Sequence, residues 1–347
     1  MDVTDKANFK VAMVALDPQA GADGIPGWVE EAFRAEGVDF VYEECATRDD
    51  MARVAGEADL VWVFGGSEIV NAETLPVLER CGAVIRTGSG TDNVDVEAAT
   101  RRGIVVTNTP GAHDDEVSEH AIALLLSLVR VIPLKDRELR QGIWERTPLP
   151  NHHVFGQTLG LVGFGHVAQL VVRKMSGFDM TVLCHDPYVS ADAMSAKGVQ
   201  IASLDEILQK SDFVSLHCPL TAATQGLIGE RELRMMKPAA LLINTSRGPV
   251  VQESALIQAL QEGLIAGAGL DVFEEEPTPI QNPLLKMDNV IFTPHTAGHS
   301  DLTQEKQWRL SVESAIAFSK GHWPHSYVNP DVKPRWQLSH QELGGNL

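Results

Sequence analysis

What this sequence has little of narrows its role before any motif is read. It has no apolar run long enough to span a bilayer: the stretch 121–129 is far short of the roughly 20 residues a helix needs. The segment 1–10 is polar and charged and lacks the apolar core of a secretory signal. Cysteine is scarce: Cys45, Cys81, Cys184 and Cys218 form neither a Cys-x-x-Cys pair nor a Cys/His cluster at zinc spacing. Four reduced, mostly buried thiols, no metal site and a cytoplasmic location are therefore expected. Positive charge is also short. Against 47 Asp and Glu stand 28 Lys and Arg, a formal net charge of −19. Such a chain repels phosphate backbones and anionic lipid, so neither nucleic acid nor a membrane is an expected partner. Low-complexity tracts and solenoid-period repeats are missing as well.

What is present suits packed cores. Apolar residues make up 44% of the chain and charged ones 22%, which argues against disorder. A length of 347 residues suggests two domains of ordinary size. Short apolar runs at 11–16, 38–42, 60–64, 83–86 and 104–107 read as strands, with helical patterns between them. One helix is opened by Pro26 and closed by Gly37, and another spans 94–102. A long helix at 117–130 follows Asp114, Asp115 and Glu116, acids that suit a helix N-terminus. It is apolar on most faces, so burial between domains or subunits is expected, with a homodimer formed through this region.

A second alternating series starts at Thr158, with strands at 159–162, 181–184, 213–216, 240–243, 266–270 and 290–292. Helices fall at 166–175, 204–210, 253–262 and 301–320. Six strands with helices between them make a doubly wound sheet. The remainder, from Gly321, reads as an irregular segment packed on the body. The expected fold is α/β, with two Rossmann-like doubly wound domains and an interdomain cleft.

The start of the second series carries a dinucleotide signature. Leu159-Gly160-Leu161-Val162-Gly163-Phe164-Gly165-His166-Val167-Ala168 is a strand, a glycine-rich turn and a helix start. Gly163 permits the tight turn, Gly165 lets backbone approach a pyrophosphate, and Ala168 is small enough for helix and strand to pack closely. The pyrophosphate would sit on the free N–H groups at the helix start, by His166 and Val167. Asp186 ends the next strand, 23 residues after Gly163. Its carboxylate suits the ribose hydroxyls of NAD and repels the 2′-phosphate of NADP, and no Arg follows it to hold that phosphate. NAD is the expected cofactor. The NAD-binding domain is expected at 110–298. The substrate domain is expected to be discontinuous, 1–109 with 299–347, with hinges near Pro110-Gly111 and Gly298.

Three further segments are informative together: Asn244-Thr245-Ser246-Arg247-Gly248; Gly269-Leu270-Asp271-Val272-Phe273-Glu274-Glu275-Glu276-Pro277; and Thr293-Pro294-His295-Thr296-Ala297-Gly298. In this order they resemble the D-isomer-specific 2-hydroxyacid dehydrogenases, and the likeness extends to 86–102, 117–130 and 212–224. The resemblance implies interconversion of a small 2-oxo acid and its D-2-hydroxy acid. It assigns Arg247 to binding and orienting substrate, His295 to acid/base transfer and Glu276 to supporting His295. The chemistry agrees. Hydride addition to a carbonyl leaves an alkoxide that needs a proton donor, histidine donates near neutral pH, and a guanidinium grips a carboxylate as a fork. Singly, each residue also has an ordinary reading: a surface ion pair for Arg247, a solvated acidic loop for Glu276, a core histidine for His295.

The resemblance also places Cys218, Pro219, Thr224, Thr245, Asp271, His295 and Gly298 at the cofactor, beside Gly163, Gly165, His166, Val167 and Asp186. Asp271 would meet the nicotinamide carboxamide, and a capping Asp is its rival reading. His217 is expected to be no catalyst, and Cys218, without a basic neighbour in sequence, no nucleophile. Arg86-Thr87-Gly88-Ser89-Gly90-Thr91-Asp92-Asn93 resembles the family's substrate loop, where Gly88 and Gly90 would free N–H groups for a carboxylate. Gly65 and Gly66, with Ser89 and Gly90, are the substrate-loop candidates alongside Arg247 and His295. Residues 64–67 hold no cation, which disfavours a phosphorylated substrate, and no regulatory C-terminal domain is expected.

Two positions depart from the pattern. Ser118 precedes Glu119 where Ala is common, and His166 stands where Arg or Lys is common. Trp144, preceded by Arg140, is left open between packing and pocket, and His152 and His153 are expected on an exposed loop. A corepressor-like NAD-binding regulator is the alternative function. A formate-type enzyme would pair the histidine with Gln, against Glu276.

Overall fold

In the computed structural model, which describes residues 8–16, 24–146 and 153–340, the alternating pattern becomes two parallel sheets. Contacts divide the chain into two units, Met1–His113 with Ser300–Leu347, and Asp114–His299.

In chain order, the first unit begins β1 (Phe9–Leu16), α1 (Gly27–Ala35), β2 (Val38–Tyr42), α2 (Arg48–Ala55), β3 (Leu60–Phe64), β4 (Ala83–Thr87), α3 (Val96–Arg101) and β5 (Val105–Asn108). The second holds α4 (Asp114–Val129), α5 (Ile132–Arg140), β6 (Thr158–Val162), α6 (His166–Met175), β7 (Thr181–His185), α7 (Ala191–Ser195), β8 (Gln200–Ile201) and α8 (Leu204–Lys210). It continues with β9 (Phe213–Leu216), α9 (Glu230–Met235), β10 (Leu241–Asn244), α10 (Glu253–Gln261), β11 (Gly267–Leu270) and β12 (Val290–Phe292). The chain then returns to the first unit as α11 (Thr303–Ser319).

The first sheet runs β2-β1-β3-β4-β5, all parallel, an order found in flavodoxin-like folds. Its central strand β3 is buried throughout, as a parallel strand covered on both faces must be. The helix α2 has no counterpart among the sequence expectations. It offers only Met51, Val54 and Ala55 to the core, and its best signal is local: the Thr47 side chain accepts the Asp50 N–H in a capping box.

On the other face, Trp62 is fully buried and its indole N–H donates to Thr87 Oγ1 at 2.7 Å. Trp62 also meets Trp308 of α11 edge-on, with ring centroids 5.3 Å apart. The irregular segment after Gly321 packs on this unit as expected. Trp336 is 4% exposed and lies edge-on to Phe9 and Phe318. Gly82 makes room for it: a Cβ there would stand 2.2 Å from the indole.

The second sheet runs β12-β11-β10-β9-β6-β7-β8, all parallel. Counted from β6 this is the Rossmann order 3-2-1-4-5-6 with β12 added at one edge. It has seven strands rather than six, because β8 pairs only with Leu183 and Cys184 and exposes both its residues, so it leaves no hydrophobic pattern to read.

The long helix starts at Asp114, not 117, so the three acids lie inside its first turn. That also moves the boundary from 109/110 to His113/Asp114, since α4 packs on α6 and on β10 and β11 of the second sheet. His299 likewise belongs to the second unit, one residue past the expected break. The buried stripe of α4 includes Ala121, Leu124, Leu125 and Val129, and Gly269 of β11 admits Leu124 and Leu128 at close range. This stripe is thus buried on the helix's own sheet. All four cysteines are buried and unpaired, and among the described residues no single helix is long and apolar enough to cross a membrane.

Trp336→Ala removes a buried aromatic from between two others and is expected to lower unfolding free energy by about 3–5 kcal/mol. Urea unfolding of variant and wild type measures it; a loss under about 1 kcal/mol would mean that the segment contributes little to this core.

Candidate active site

A parallel sheet puts the C-terminal ends of its strands along one edge, and the candidate residues of the second unit follow those ends. After β6, Gly163 takes φ +93 and passes so close to β9 that a Cβ would lie 2.7 Å from the Cys218 nitrogen. Gly165 caps α6, and a Cβ there would meet nothing within 4 Å, so this side of the turn is open. Ala168 is fully buried against the sheet.

Asp186 follows β7, and each carboxylate oxygen accepts one backbone N–H at 2.8 Å, from Phe164 and from Tyr188. An ionised carboxylate offers about four lone-pair sites, so it shapes the glycine turn and retains capacity for a ribose hydroxyl. His166 opens α6 with Nδ1 3.2 Å from Asp114 Oδ2, and Val167 follows in the same turn.

After β9, burial pushes the Cys218 thiol up to about 11, which keeps it protonated and supports the expectation that it is no nucleophile. Burial pulls the neighbouring His217 down to about 4, so it stays neutral near pH 7, with Ser215 Oγ 2.9 Å from its Nε2. The loop beyond is shaped by Thr224, whose hydroxyl donates to the Pro219 carbonyl at 2.6 Å and accepts the Thr221 N–H at 2.8 Å. After β10, Thr245 Oγ1 is buried with no hydrogen-bond partner. That orphan hydroxyl, the open flank of Gly165 and the capacity left on Asp186 fit a dinucleotide.

The catalytic candidates come from three strand ends. Glu276 Oε1 accepts the Phe273 N–H at 2.9 Å and Oε2 lies 2.6 Å from His295 Nδ1. A carboxylate only accepts, so Nδ1 carries the proton and Nε2 is the nitrogen left for chemistry. Burial raises the Glu276 pKa. The bonds from His295 and Phe273 and the nearby charges of His295 and Arg247 outweigh it, and the carboxyl lies below its ordinary value. The charge of Arg247 is thus felt at the Glu276–His295 pair, and its Nη1 donates to the Ser246 carbonyl at 2.8 Å.

His295 holds φ +53, an uncommon value for a side chain of this kind, and its N–H donates to the carbonyls of Asp271 and Thr293. Asp271 is 1% exposed and its carboxylate accepts the Thr296 and Ala297 N–H groups, each at 2.9 Å. It is a loop-capping residue in this structure. Gly298 follows Ala297, in the same turn.

The substrate-loop candidates Gly65, Gly66, Ser89 and Gly90 belong to the first unit. Asn93 joins their two loops: its Nδ2 donates to the Gly65 and Ser67 carbonyls at 3.1 and 2.8 Å, and its Oδ1 accepts from Arg86 Nε at 3.0 Å. Gly88 lacks a side chain because Arg86 occupies that space: a Cβ would stand 1.7 Å from Nη1. Arg86 and Asn93 were legible as members of the loop motif but not as its internal brace. Of the remaining candidates, Trp144 is 77% exposed and Arg140 pairs with Asp136 at 2.8 Å. His153 is exposed, and His152 lies outside the described residues.

Residues 122–297 match the model for the D-isomer specific 2-hydroxyacid dehydrogenase, NAD binding domain. The chain belongs to that family, whose members are NAD(P)-dependent oxidoreductases of 2-hydroxy and 2-oxo acids. It is 43% identical to a glyoxylate reductase of Korarchaeum cryptofilum over 76% of this chain and 80% of that one. It is 36% identical to a D-3-phosphoglycerate dehydrogenase of Archaeoglobus fulgidus over 87% of this chain, and spans 57% of that protein's length. Among solved structures, an NADPH-dependent glyoxylate/hydroxypyruvate reductase of Sinorhizobium meliloti in complex with NADP and malonate superposes with a TM-score of 0.79. The two are 32% identical, and the match covers 92% of this chain and 96% of the other. A nicotinamide dinucleotide is therefore the cofactor, and the corepressor-like alternative finds no support.

The low His217 pKa has a consequence for acid stability. Below the ordinary histidine value of 6.5 the unfolded chain takes up a proton that the folded ring refuses. This contribution is intact above about pH 6.5 and is lost as pH falls towards 4. Between pH 7 and 5, His217→Gln is expected to lose up to about 2 kcal/mol less stability than wild type. Urea midpoints at the two pH values decide it; parallel losses would mean the ring is not so desolvated.

Proposed function

We propose that this protein reduces a small, unphosphorylated 2-oxo acid of the glyoxylate or hydroxypyruvate type to the D-2-hydroxy acid, using NADH. The observation that carries the reading is the Glu276–His295 pair at 2.6 Å with the Arg247 charge beside it. The Arg247 guanidinium binds the substrate carboxylate and orients the carbonyl. The nicotinamide, when bound, supplies the hydride. His295 Nε2 donates the proton that the carbonyl oxygen takes up, and Glu276, 2.6 Å from Nδ1, holds the ring in the required orientation and tautomer. Gly65, Gly66, Ser89 and Gly90 of the first unit are proposed substrate-binding residues. Thr245 and Asp271 are proposed cofactor contacts, with Asp186 favouring NAD over NADP. The absence of Lys and Arg from residues 64–67 speaks against a phosphorylated acid.

Wild type should oxidise NADH faster than NADPH with glyoxylate or hydroxypyruvate, and more slowly with 3-phosphohydroxypyruvate. His295→Ala should lower kcat by about 10²–10⁴-fold while NADH still quenches or shifts the intrinsic fluorescence. Tight NADH binding with no turnover of any 2-oxo acid would sink the reading.

A homodimer is proposed with it. α5 exposes Ile132 and Leu139, seven residues apart on one helix face, and the segment after it exposes Ile143 and Trp144. Sedimentation at micromolar protein should give twice 37.7 kDa; a monomer at that mass would refute it.

A further inference from the structure

One titratable group in the second unit bonds to Thr293, two residues before the proposed acid/base residue, and has no part in the chemistry above. His120 lies on α4, and its Nε2 is 2.8 Å from Thr293 Oγ1 and 3.7 Å from Asp271 Oδ1. The Thr293 hydroxyl in turn donates to Asp271 Oδ1. The direction of this chain follows from valence. A buried carboxylate accepts only, so the single Thr293 proton goes to Asp271, and the Thr293 oxygen is left to accept. His120 Nε2 must then carry a proton and donate.

Asp271 is the anchor of the turn that bears His295. Its carboxylate accepts the N–H groups of Thr296 and Ala297, and its carbonyl accepts the N–H of His295 itself. His295 sits in the left-handed backbone region, which a histidine adopts rarely, so its presentation depends on the bonds that hold the turn. At 1% exposure the Asp271 carboxylate has little water to offset its charge, and each donor aimed at it matters.

We propose that His120 is a positioning residue: by donating through the Thr293 hydroxyl to Asp271, it fixes the turn that sets His295 against Glu276. The inference rests on the reading of His295 as acid/base residue, but the geometry it predicts exists without cofactor or substrate. It makes α4, a core helix of the sheet, part of the support of the acid/base residue.

The test uses the full chain with His120→Leu, His120→Gln and Thr293→Val, each checked for an unchanged thermal transition. In the cofactor-free protein, the His295 Nδ1 proton bonded to Glu276 is followed by NMR. NADH affinity is followed by fluorescence, and kcat and KM by NADH oxidation with glyoxylate. His120→Leu and Thr293→Val are expected to weaken or broaden the His295 signal. They should lower kcat at least tenfold with KM and NADH affinity within about threefold of wild type. The double variant His120→Leu/Thr293→Val should be no worse than the worse single one, since both break one chain. His120→Gln, which keeps an N–H donor, should restore most of the signal and the rate. An unchanged His295 signal in both His120→Leu and Thr293→Val would overturn the proposal, as would a loss in His120→Gln equal to that in His120→Leu. The NMR arm stands even if no 2-oxo acid is turned over, so failure of the reaction reading and failure of the positioning role are told apart.

Discussion

Every strand of the second sheet runs the same way, and the rest of the site depends on that constraint. Parallel strands need a crossover each, so each strand end is followed by a loop on the same edge of the sheet. The glycine turn follows β6, Asp186 follows β7, Cys218 follows β9, Arg247 follows β10, Asp271 follows β11 and Thr293 follows β12. Residues scattered over more than a hundred positions of sequence thereby become neighbours along one edge. No antiparallel hairpin arrangement of these strands would bring all these loops to a single edge.

Along that edge the fold uses backbone N–H groups and carboxylates in reciprocal pairs. Asp186 ties down Phe164 and Tyr188, Glu276 ties down Phe273 and His295, and Asp271 ties down Thr296 and Ala297. Each carboxylate thus braces a loop as well as standing at a candidate functional position. In a chain so strongly acidic overall, these are acids whose charge is spent on defined donors, and the charge of Arg247 adds to those held at Glu276. The same economy appears in the first unit, where Asn93 satisfies two loop carbonyls and is itself held by Arg86.

Much of the fold was legible because strand and helix periods are written in local sequence. The strands of the first sheet and most of those of the second are apolar runs bounded by turn residues. α6 and α8 begin and end where their patterns do, α8 with a Ser203–Glu206 capping box. What escaped was short or polar: β8 has two exposed residues, α2 three buried ones, and α5 none. Such elements owe their conformation to a neighbour or a cap, so their hydrophobic pattern is too weak to read. The start of α4 was misplaced by three residues because acids that suit a helix N-terminus serve equally before the first turn or within it.

The sequence by itself determined the alternating architecture and the dinucleotide turn with Asp186 at matching spacing, and it singled out Arg247, Glu276 and His295 as a candidate set. These are statements about residue type and spacing along the chain, which covalent order carries. Tertiary structure alone decided which nitrogen of His295 faces Glu276, that Asp271 caps the turn carrying it, and that His120 reaches Asp271 through Thr293, 173 residues further along the chain. Those are facts of distance and direction between groups remote in sequence, and a hydrogen bond's partner is set by where the folded backbone brings two atoms, not by how far apart they lie along the chain.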